Sequence, residues 1–423
     1  MKISLRALSS KKPLRGRVVL VRVDWNVPTR HAALRDTGVP TRHAALRDTG
    51  VPANGSMERD ASLKIERSLP LLKELKKRGA KIVVLTHLGR PSKRDRRFST
   101  KPLERLLRET YGLDLTYHPE SVANKSEHAK LQSALASATP GSIHLLENVR
   151  FLKGEEENNK TLAKAYADLG DAFVNDAFAS CHRTHVSVSG IAKLLPAYAG
   201  PALVEEVSAL SRLLDHPKSP FVAVIGGLKL STKLPVIEAL CRVCDDVLIG
   251  GAMATAFLKA QKMEVGRSAH EKEGVALAKK LLKHKNIHLP EDVVVTTRVT
   301  NDPVLRRVSV DAIGKKDTIV DVGPKTLKAW AEIIGGASTI VWNGPVGLIE
   351  CAPCGFGSRF LARTIGARAK GKAFGVAGGG DTLPVISTTK TEHHFDFVST
   401  GGGAMLDFIA LKGRLPGLLA LLR

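Results

Sequence analysis

Short apolar runs rich in β-branched residues alternate with amphipathic helical stretches along most of this chain. This alternation is typical of βαβ units, in which helices cover both faces of a parallel sheet. It therefore predicts an α/β fold built from two Rossmann-like, doubly wound parallel sheets. The strongest strand candidates are 18–25, 81–88, 142–147, 171–176, 221–227, 246–251, 338–344 and 373–380. The clearest helices are 68–79, 162–170 and 274–285.

The length of the chain, 423 residues, is more than one hydrophobic core usually supports. Cores stop growing near about 250–300 residues, and longer chains divide into domains. We therefore expect two domains of about 200 residues each. A helical pattern at 201–216 follows the turn-rich sequence PAYAGP and precedes a new strand, which places the domain boundary near residue 200.

Composition excludes several classes of protein. The apolar fraction of 43% and the charged fraction of 25% are those of a globular protein, not of a disordered or fibrous one. No stretch approaches the roughly 18 apolar residues of a membrane span, and the N-terminus has no apolar signal core, so we expect a cytoplasmic protein without a membrane partner. Five cysteines in so long a chain favour buried thiols in a reducing compartment over a disulfide framework. Their two CxxC pairs lie too far apart for a zinc ribbon.

The net charge of +23 is concentrated at the start of the chain, where residues 1–100 hold 24 Lys and Arg against 8 Asp and Glu. A basic face indicates an anionic partner, either a small phosphorylated substrate or a nucleic acid. Because only 4% of residues are aromatic, stacking platforms are scarce, and nucleic acid is the weaker candidate. The segment TRHAALRDTGVP occurs at 29–40 and again at 41–52, and its composition predicts an extended surface loop.

Basic and polar residues follow the predicted strands of the first half, at the edge where open α/β sheets bind ligands. They are Arg22, Asp24 and Asn26 in RVDWN, His87 and Arg90 in THLGRP, Arg150 in ENVRF, and His182, Arg183 and His185 in CHRTH. We interpret the arginines and histidines as a set of cations. The planar fork of arginine binds phosphate and carboxylate through paired hydrogen bonds. A single arginine is most often a surface residue, but four at four strand ends indicate an anion site.

Glycines follow the predicted strands of the second half, at 226–227, 250–251, 344, 378–380 and 401–403. Backbone amides without side chains can approach phosphate oxygens closely. Lys229 and Lys233 are four residues apart, so both ammonium groups could lie on one face of a helix. There they could follow the charge of a migrating phosphoryl group. Asp381 is a candidate Mg²⁺ ligand. The chain has no GxxxxGK[ST] motif and no GxGxxG leaving a strand, which disfavours a P-loop NTPase and a dehydrogenase.

These motifs together resemble one family. RVDWNVP, THLGRP, ENVRF, GEEENN, VNDAFASCHRTHVS, IGGLKLSTK, LIGGAMATAFLKAQ, VWNGPVGLIE, AGGGDT and VSTGGGA occur in this order between residues 22 and 404. In this the chain is similar to phosphoglycerate kinase of the bacterial type. The family has two Rossmann-like domains joined by a helix hinge. The resemblance implies a triose-binding domain at 1–199, a Mg-nucleotide-binding domain at 200–405, and a C-terminal segment, 406–423, that returns to the first domain.

The resemblance also implies an activity and its residues. The reaction is reversible phosphoryl transfer from 1,3-bisphosphoglycerate to MgADP, giving 3-phosphoglycerate and ATP, with Mg²⁺ as cofactor and closure of a hinge around the substrates. The catalytic residues would be Arg22, Arg183 and Lys229. The triose would be held by Asp24, Asn26, Lys64, His87, Leu88, Gly89, Arg90, Arg150 and Arg183. The nucleotide would be held by Lys233, Gly251, Asn343, Glu350, Gly379, Gly380, Asp381 and Thr382, with Asp381 also the metal ligand. The family's usual monomer is expected.

Two departures from the family pattern lie on the triose side. Lys64 stands where the family has an arginine, which keeps the charge but loses the bidentate fork. The duplicated segment falls between Asn26 and Lys64. These departures leave an alternative, a catalytically weakened homologue that binds RNA or another polyanion through its basic N-terminal region. The lysine pair and GGGDT favour the kinase, since a pure binding protein has no need of a complete Mg-nucleotide site.

Overall fold

The computed structural model describes residues 3–8, 13–27, 55–215, 217–228, 230–231, 233–300 and 302–422. The duplicated segment and Lys229 lie outside the described residues. The chain divides into two compact units. The first contains the described N-terminal residues, Met57–Ser211 and Gly413–Arg423, and the second contains Arg212–Lys412.

Helices and strands alternate along both units, as the sequence pattern predicts. The described helices are α1 Gly55–Lys77, α2 Lys101–Tyr111, α3 Lys125–Ser137, α4 Lys160–Ala167, α5 Pro201–Ser211, α6 Leu234–Val243, α7 Gly251–Ala260, α8 Lys272–Leu281, α9 Pro324–Gly336, α10 Phe356–Ala369, α11 Leu383–Thr389, α12 Gly402–Ala410 and α13 Pro416–Leu419. The described strands are β1 Val18–Arg22, β2 Lys81–Leu85, β3 Thr116–His118, β4 Ile143–Leu146, β5 Ala172–Asn175, β6 Ala197–Ala199, β7 Phe221–Ile225, β8 Asp246–Ile249, β9 Ile287–His288, β10 Asp292–Thr296, β11 Arg306–Ser309, β12 Thr318–Val322, β13 Thr339–Asn343, β14 Phe374–Gly378 and β15 Phe397–Ser399.

The first unit is organised around a parallel sheet with strand order β3-β4-β2-β1-β5-β6. Its central strands are mostly apolar because helices cover both of their faces, and Val19, Leu20 and Val21 of β1 are fully buried. Trp25 and Leu72 belong to the same core. The C-terminal residues also belong to this unit, where the segment before β1 forms an antiparallel bridge with the end of the chain.

The second unit contains a parallel sheet with strand order β15-β14-β13-β7-β8-β9. Its core includes Trp330, Trp342 and Leu361. The two parallel sheets confirm the predicted α/β class. The same unit also has a smaller antiparallel sheet, β11-β10-β12, which the sequence pattern does not predict. Among the described residues, no helix combines the length and the apolar character that crossing a membrane requires.

The prediction that the cysteines are free thiols was wrong for two of the five. The sulfur atoms of Cys351 and Cys354 lie 2.12 Å apart, at bonding distance, and form a disulfide. A short 3-10 turn beginning at Ala352 folds the chain back on itself and brings the two Cα atoms to 5.2 Å, within the range that a disulfide needs. Cys181, Cys241 and Cys244 are buried thiols, as expected.

Candidate active site

The first unit brings its predicted site residues to the carboxyl ends of β1, β2, β4 and β5. Arg22 is the last residue of β1, His87 follows β2, Arg150 follows β4 and Arg183 follows β5. Strands β2, β3 and β4 lie on one side of β1, whereas β5 and β6 lie on its other side. Ligand crevices of open α/β sheets form where the strand order reverses in this way. Side chains far apart in sequence therefore share one edge because their strands are parallel.

Arg22 is buried at this edge, with 1% of its surface exposed. Its Nη2 lies 2.9 Å from His87 Nδ1 and 3.4 Å from Ser180 Oγ, and it donates to both because a guanidinium has no acceptor. Within the described parts of the chain, Arg22 Nε and Nη1 have no hydrogen-bond partner. Burial lowers the pKa of Arg22, and the negative charge of Glu155 is the largest opposing influence. A buried guanidinium with two unsatisfied nitrogens favours binding of an oxyanion.

Arg150 and Arg183 lie near Arg22, and we call these three residues the arginine cluster. Arg150 Nη1 donates to the carbonyl of Gly89. One carboxylate, that of Glu156, lies 3.4 Å from Arg150 Nε and 4.0 Å from Arg183 Nη1. Burial, followed by the charges of Arg183 and Arg22, lowers the pKa of Arg150 to about 10. The cluster therefore holds more positive charge than Glu156, which is 57% exposed on its side chain, can balance.

The histidines at this edge are neutral, so their interpretation as cations was wrong. Burial lowers the pKa of His182 to about 4 and that of His185 to about 3, and Arg183 is the second cause in each case. Burial, followed by the charge of Arg22, holds the pKa of His87 well below its usual range. Arg183 Nε donates to His182 Nε2 at 3.1 Å. The histidines thus supply polar atoms at neutral pH without adding charge.

The loop after β2 is shaped by one glycine. Gly89 has a φ of +58°, and an added Cβ would overlap the ring of Phe98. Its amide donates to Asn26 Oδ1 at 2.8 Å, which joins the loop after β2 to the loop after β1. Leu88 is buried and Arg90 is exposed. Only glycine fits this conformation without strain, so the loop that carries Arg90 has a defined shape.

Two further residues of the predicted triose set have different surroundings. Asp24 follows β1, and its Oδ1 is buried without a hydrogen-bond partner among the described residues. An acceptor in this position suits a hydroxyl group of a ligand. Lys64 is half-buried on α1.

In the second unit, Lys233 lies at the carboxyl ends of β7 and β13, the adjacent strands at which strand order reverses. Its Nζ donates to the carbonyl of Gly226 and to Asn343 Oδ1, both at 2.9 Å. Asn343 Nδ2 in turn donates to the carbonyl of Gly378 at 2.8 Å. Burial lowers the pKa of Lys233 to about 8, with the charge of Asp381 opposing it. The ammonium group is thus fixed between one backbone carbonyl and one side-chain amide oxygen, and its charge favours a nearby anion.

The segment after β13 joins the other glycine loops of this unit. Gly227 donates its amide to the carbonyl of Pro345 at 3.0 Å, and Gly251 donates to that of Val346 at 3.0 Å. Gly344 has a φ of +92° and packs its backbone against the loop after β7, with no room for a Cβ. Loops from three parallel strands therefore meet closely through their backbones. Glycine at these positions lets the three loops approach closely, because no side chain separates their backbones.

The loop after β14 completes this edge. Gly379 has a φ of +117°, and its carbonyl accepts from the amide of Thr382 at 2.8 Å. The Thr382 side chain is fully buried, and its Oγ1 accepts from the amide of Gly344 at 2.7 Å. Gly380 and Asp381 lie between them and are exposed. The turn therefore presents its backbone and one carboxylate to solvent.

Glu350 is exposed on the segment after β13. Lys229, which falls outside the described residues, stays a prediction. Within the described ranges, no group of three or more His, Cys, Asp and Glu side chains could hold a metal ion. The single carboxylate of Asp381 fits a Mg²⁺ ion that arrives on nucleotide phosphates, because protein sites commonly give this ion one or two carboxylates.

Sequence reasoning did not identify the acidic groups around these sites. Glu156 neutralises part of the arginine cluster, and Glu155 is buried with its carboxylate bonded to the Ser187 hydroxyl at 2.5 Å. Burial raises the pKa of Glu155. In the second unit, Asp321 lies buried beside the segment that carries Glu350. The acidic run GEEENN was a signal for the first two, but no local pattern distinguishes Asp321.

The fold and the two sets of residues define a class of protein. Each parallel sheet brings a distinct set of residues to the carboxyl ends of its strands, arginine side chains in the first unit and glycine loops around a lysine in the second. These features are those of an α/β enzyme that transfers phosphoryl groups, in which positioning and charge neutralisation carry catalysis.

Comparison with known proteins identifies the family. The model of the phosphoglycerate kinase family matches residues 34–412. The chain is 42% identical to phosphoglycerate kinase of Thermus thermophilus, over 98% of this chain and 99% of the relative. The phosphoglycerate kinase of Novosphingobium aromaticivorans is 38% identical, over 99% and 100%. The solved structure of phosphoglycerate kinase from Coxiella burnetii matches with a TM-score of 0.75 and 35% identity, over 97% of both chains. That from Pyrococcus horikoshii matches with a TM-score of 0.77 and 27% identity, over 98% of both chains. The chain belongs to the phosphoglycerate kinase family.

Family membership confirms the predicted activity. The protein is a phosphotransferase that acts on the carboxyl group of 3-phosphoglycerate, with ADP and ATP as its nucleotides and a place in glycolysis. The alternative, a weakened homologue that binds a polyanion, receives no support from these relatives.

Proposed function

We propose that the first unit binds the triose through the arginine cluster. One observation carries this proposal: Arg22 is buried, has two guanidinium nitrogens without a partner among the described residues, and lies near Arg150 and Arg183. Substrate phosphate and carboxylate groups would supply the missing negative charge and hydrogen-bond acceptors. Asp24 and Asn26 would accept from the hydroxyl group of the triose. His87, Leu88, Gly89, Arg90 and Lys64 would line the remainder of the site.

The proposed nucleotide site lies in the second unit. The phosphates would be contacted by Lys233, Gly379, Gly380 and Thr382. The remainder of the nucleotide, including its ribose, would be contacted by Gly251, Asn343 and Glu350. The fixed ammonium of Lys233 supports this assignment, because it holds a positive charge at the carboxyl ends of β7 and β13. The nucleotide would arrive as its Mg²⁺ complex, with Asp381 as the protein's ligand to the metal. A monomeric state and a cytoplasmic location stay predictions.

The proposed mechanism needs no protein nucleophile. The acyl phosphate of 1,3-bisphosphoglycerate is already activated, so the phosphoryl group can pass directly to the terminal oxygen of ADP. Catalysis then consists of holding the donor and acceptor in line and neutralising charge on the transferred group. We assign the neutralising charges to Arg22 and Arg183 on the triose side and to Lys229 on the nucleotide side.

Two arginines, one at the end of β1 and one just before its beginning, test the role assigned to Arg22. Arg22 ends the strand at the carboxyl edge, whereas Arg17 precedes it and forms an exposed ion pair with Asp171. In an assay of ATP formation from 1,3-bisphosphoglycerate, Arg22→Met should lower kcat about 100-fold or more, the usual effect of removing one fixed donor from a transition state. Arg17→Met should stay within about twofold of the wild type, as exposed ion pairs contribute little.

Two different results would contradict the kinase activity and the role of Arg22, respectively. Absence of turnover in the wild-type protein would contradict the kinase activity itself. Turnover in Arg22→Met within about threefold of the wild type would leave the activity intact and reject the role of this arginine.

A further inference from the structure

The segment that follows β13 and carries Glu350 is anchored to the body of the second unit. The amides of Val346 and Gly347 donate to Ser358 Oγ at 3.0 and 3.3 Å. The amide of Leu348 donates to the carbonyl of Val320 at 2.8 Å. These bonds hold the beginning of the segment against α10 and β12, because Ser358 lies on α10 and Val320 on β12.

A buried carboxylate holds the other end. Asp321 is 2% exposed, and its Oδ2 accepts from the amide of Gly357, in the first turn of α10, at 2.7 Å. Its Oδ1 accepts from the amide of Val322 at 2.9 Å. Both Gly347 and Gly357 pack their Cα atoms so closely on this carboxylate that neither position has room for a Cβ. The two glycines bracket Glu350, so one side chain fixes both ends of the segment.

We propose that Asp321 is a positioning residue for nucleotide binding, which holds the segment 347–357 so that Glu350 reaches the ribose. The proposal rests on the proposed contact of Glu350 with the nucleotide. Asp321 lies behind the segment and acts through it without touching the substrate.

The ionised form of Asp321 is the one that can hold the segment. The two amides approach different oxygens, so both oxygens must accept, and protonation converts one of them to a donor. Burial raises the pKa of Asp321 to about 7, and the bonds from Gly357 and Val322 together with the charge of Arg359 oppose this rise. The carboxylate therefore loses its charge as the pH falls through about 7, and affinity for the nucleotide should fall with it.

The matched variants are Asp321→Asn and Asp245→Asn. Asp245 also accepts from a backbone amide, that of Phe221, but lies at the amino ends of the strands in the same unit. At pH 8 we expect Asp321→Asn to raise the KM for ADP about tenfold, the usual effect of losing one hydrogen bond to a charged group. Its KM for 1,3-bisphosphoglycerate and its kcat should stay within about twofold of the wild type.

Adenosine is the second probe, since it has a ribose but no phosphate that titrates between pH 6 and 8. Wild-type affinity for adenosine, measured by calorimetry, should fall several-fold from pH 8 to pH 6, whereas affinity in Asp321→Asn should be independent of pH. The wild-type pH dependence tests the proposal even when the variant fails to fold.

Three results would separate the possible failures. Equal KM values for ADP in Asp321→Asn and Asp245→Asn would overturn the positioning role, as would a wild-type adenosine affinity that does not change between pH 6 and 8. An active Glu350→Gln variant with unchanged adenosine affinity would instead reject the nucleotide contact on which the proposal rests.

Discussion

Replacement of Lys233 by methionine separates the contribution of this residue to stability from its contribution to binding. Methionine keeps the length and most of the apolar stem but has no charge and no donor. The change removes two hydrogen bonds, to the carbonyl of Gly226 and to Asn343 Oδ1. It also removes the cost of burying an ammonium group, because burial lowers the pKa of Lys233 from 10.5 to about 8.

The two effects on folding have opposite signs. Hydrogen bonds to a charged group are worth about 1.5–3 kcal/mol each, so their loss is destabilising. The lowered pKa corresponds to roughly 3 kcal/mol against the folded state. This cost is present in full below about pH 8 and disappears as the pH rises toward 10.5, since the folded protein releases the proton first. Loss of the two bonds costs about 3–6 kcal/mol and removal of the burial cost returns about 3 kcal/mol, so the variant should be destabilised by no more than about 3 kcal/mol at pH 7.

Nucleotide binding has no such compensation. Loss of one charge-assisted bond to a phosphate should cost about 1.5–3 kcal/mol, which weakens ADP binding roughly 10- to 150-fold. Calorimetric titration with ADP and Mg²⁺ measures this, and urea unfolding measures stability. Lys279→Met, at an exposed position on α8, is the control. An ADP affinity within threefold of the wild type would refute the phosphate contact. A loss of stability above about 4 kcal/mol would refute the compensation between burial and hydrogen bonding.

Two glycines test the shape of the triose site. Gly89→Ala should raise the KM for 1,3-bisphosphoglycerate about tenfold and destabilise the protein by about 1–3 kcal/mol, because its Cβ would overlap the ring of Phe98 at a positive φ. Gly417→Ala should raise the same KM with the KM for ADP unchanged, since a methyl group there would press on the loop that precedes Arg183. Gly335→Ala, on α9 with open space around it, is the control for steady-state kinetics and thermal unfolding. Kinetics equal to this control in either variant would contradict the steric argument.

The sequence was sufficient to predict both parallel sheets and the edge at which the proposed site residues lie. Strands buried on two faces are apolar throughout, so segments such as VVLVR of β1 are distinct from the helices around them. Parallel strands also bring their carboxyl ends to one edge. The positions of Arg22 and Arg150 at that edge follow from this geometry, because each residue lies at or just after the end of an apolar strand.

The antiparallel sheet of the second unit was not predicted, although β10, DVVVT, and β12, TIVDV, are apolar runs like those of the parallel strands. Its strand β11, RRVS, is largely exposed and charged, and such a strand resembles a loop in sequence. The state of the histidines was equally inaccessible. His182 and His185 are neutral because burial and Arg183 act on them together, and a sequence shows neither effect. The sequence likewise does not show the environment of Asp321, because residues distant in sequence form it, at the ends of α10 and β12.

The proposed triose and nucleotide sites use charge in different ways, and the pH dependence of binding should therefore differ between the two substrates. The arginine cluster keeps its charge at neutral pH, and its histidines are uncharged well above their lowered pKa values, so none of these residues changes its charge near pH 7. The nucleotide edge has Asp321, with a pKa raised to about 7, and Lys233, with a pKa lowered to about 8. Nucleotide affinity should consequently be greatest between these two values, because both groups are then largely ionised, and triose affinity should vary much less over the same range.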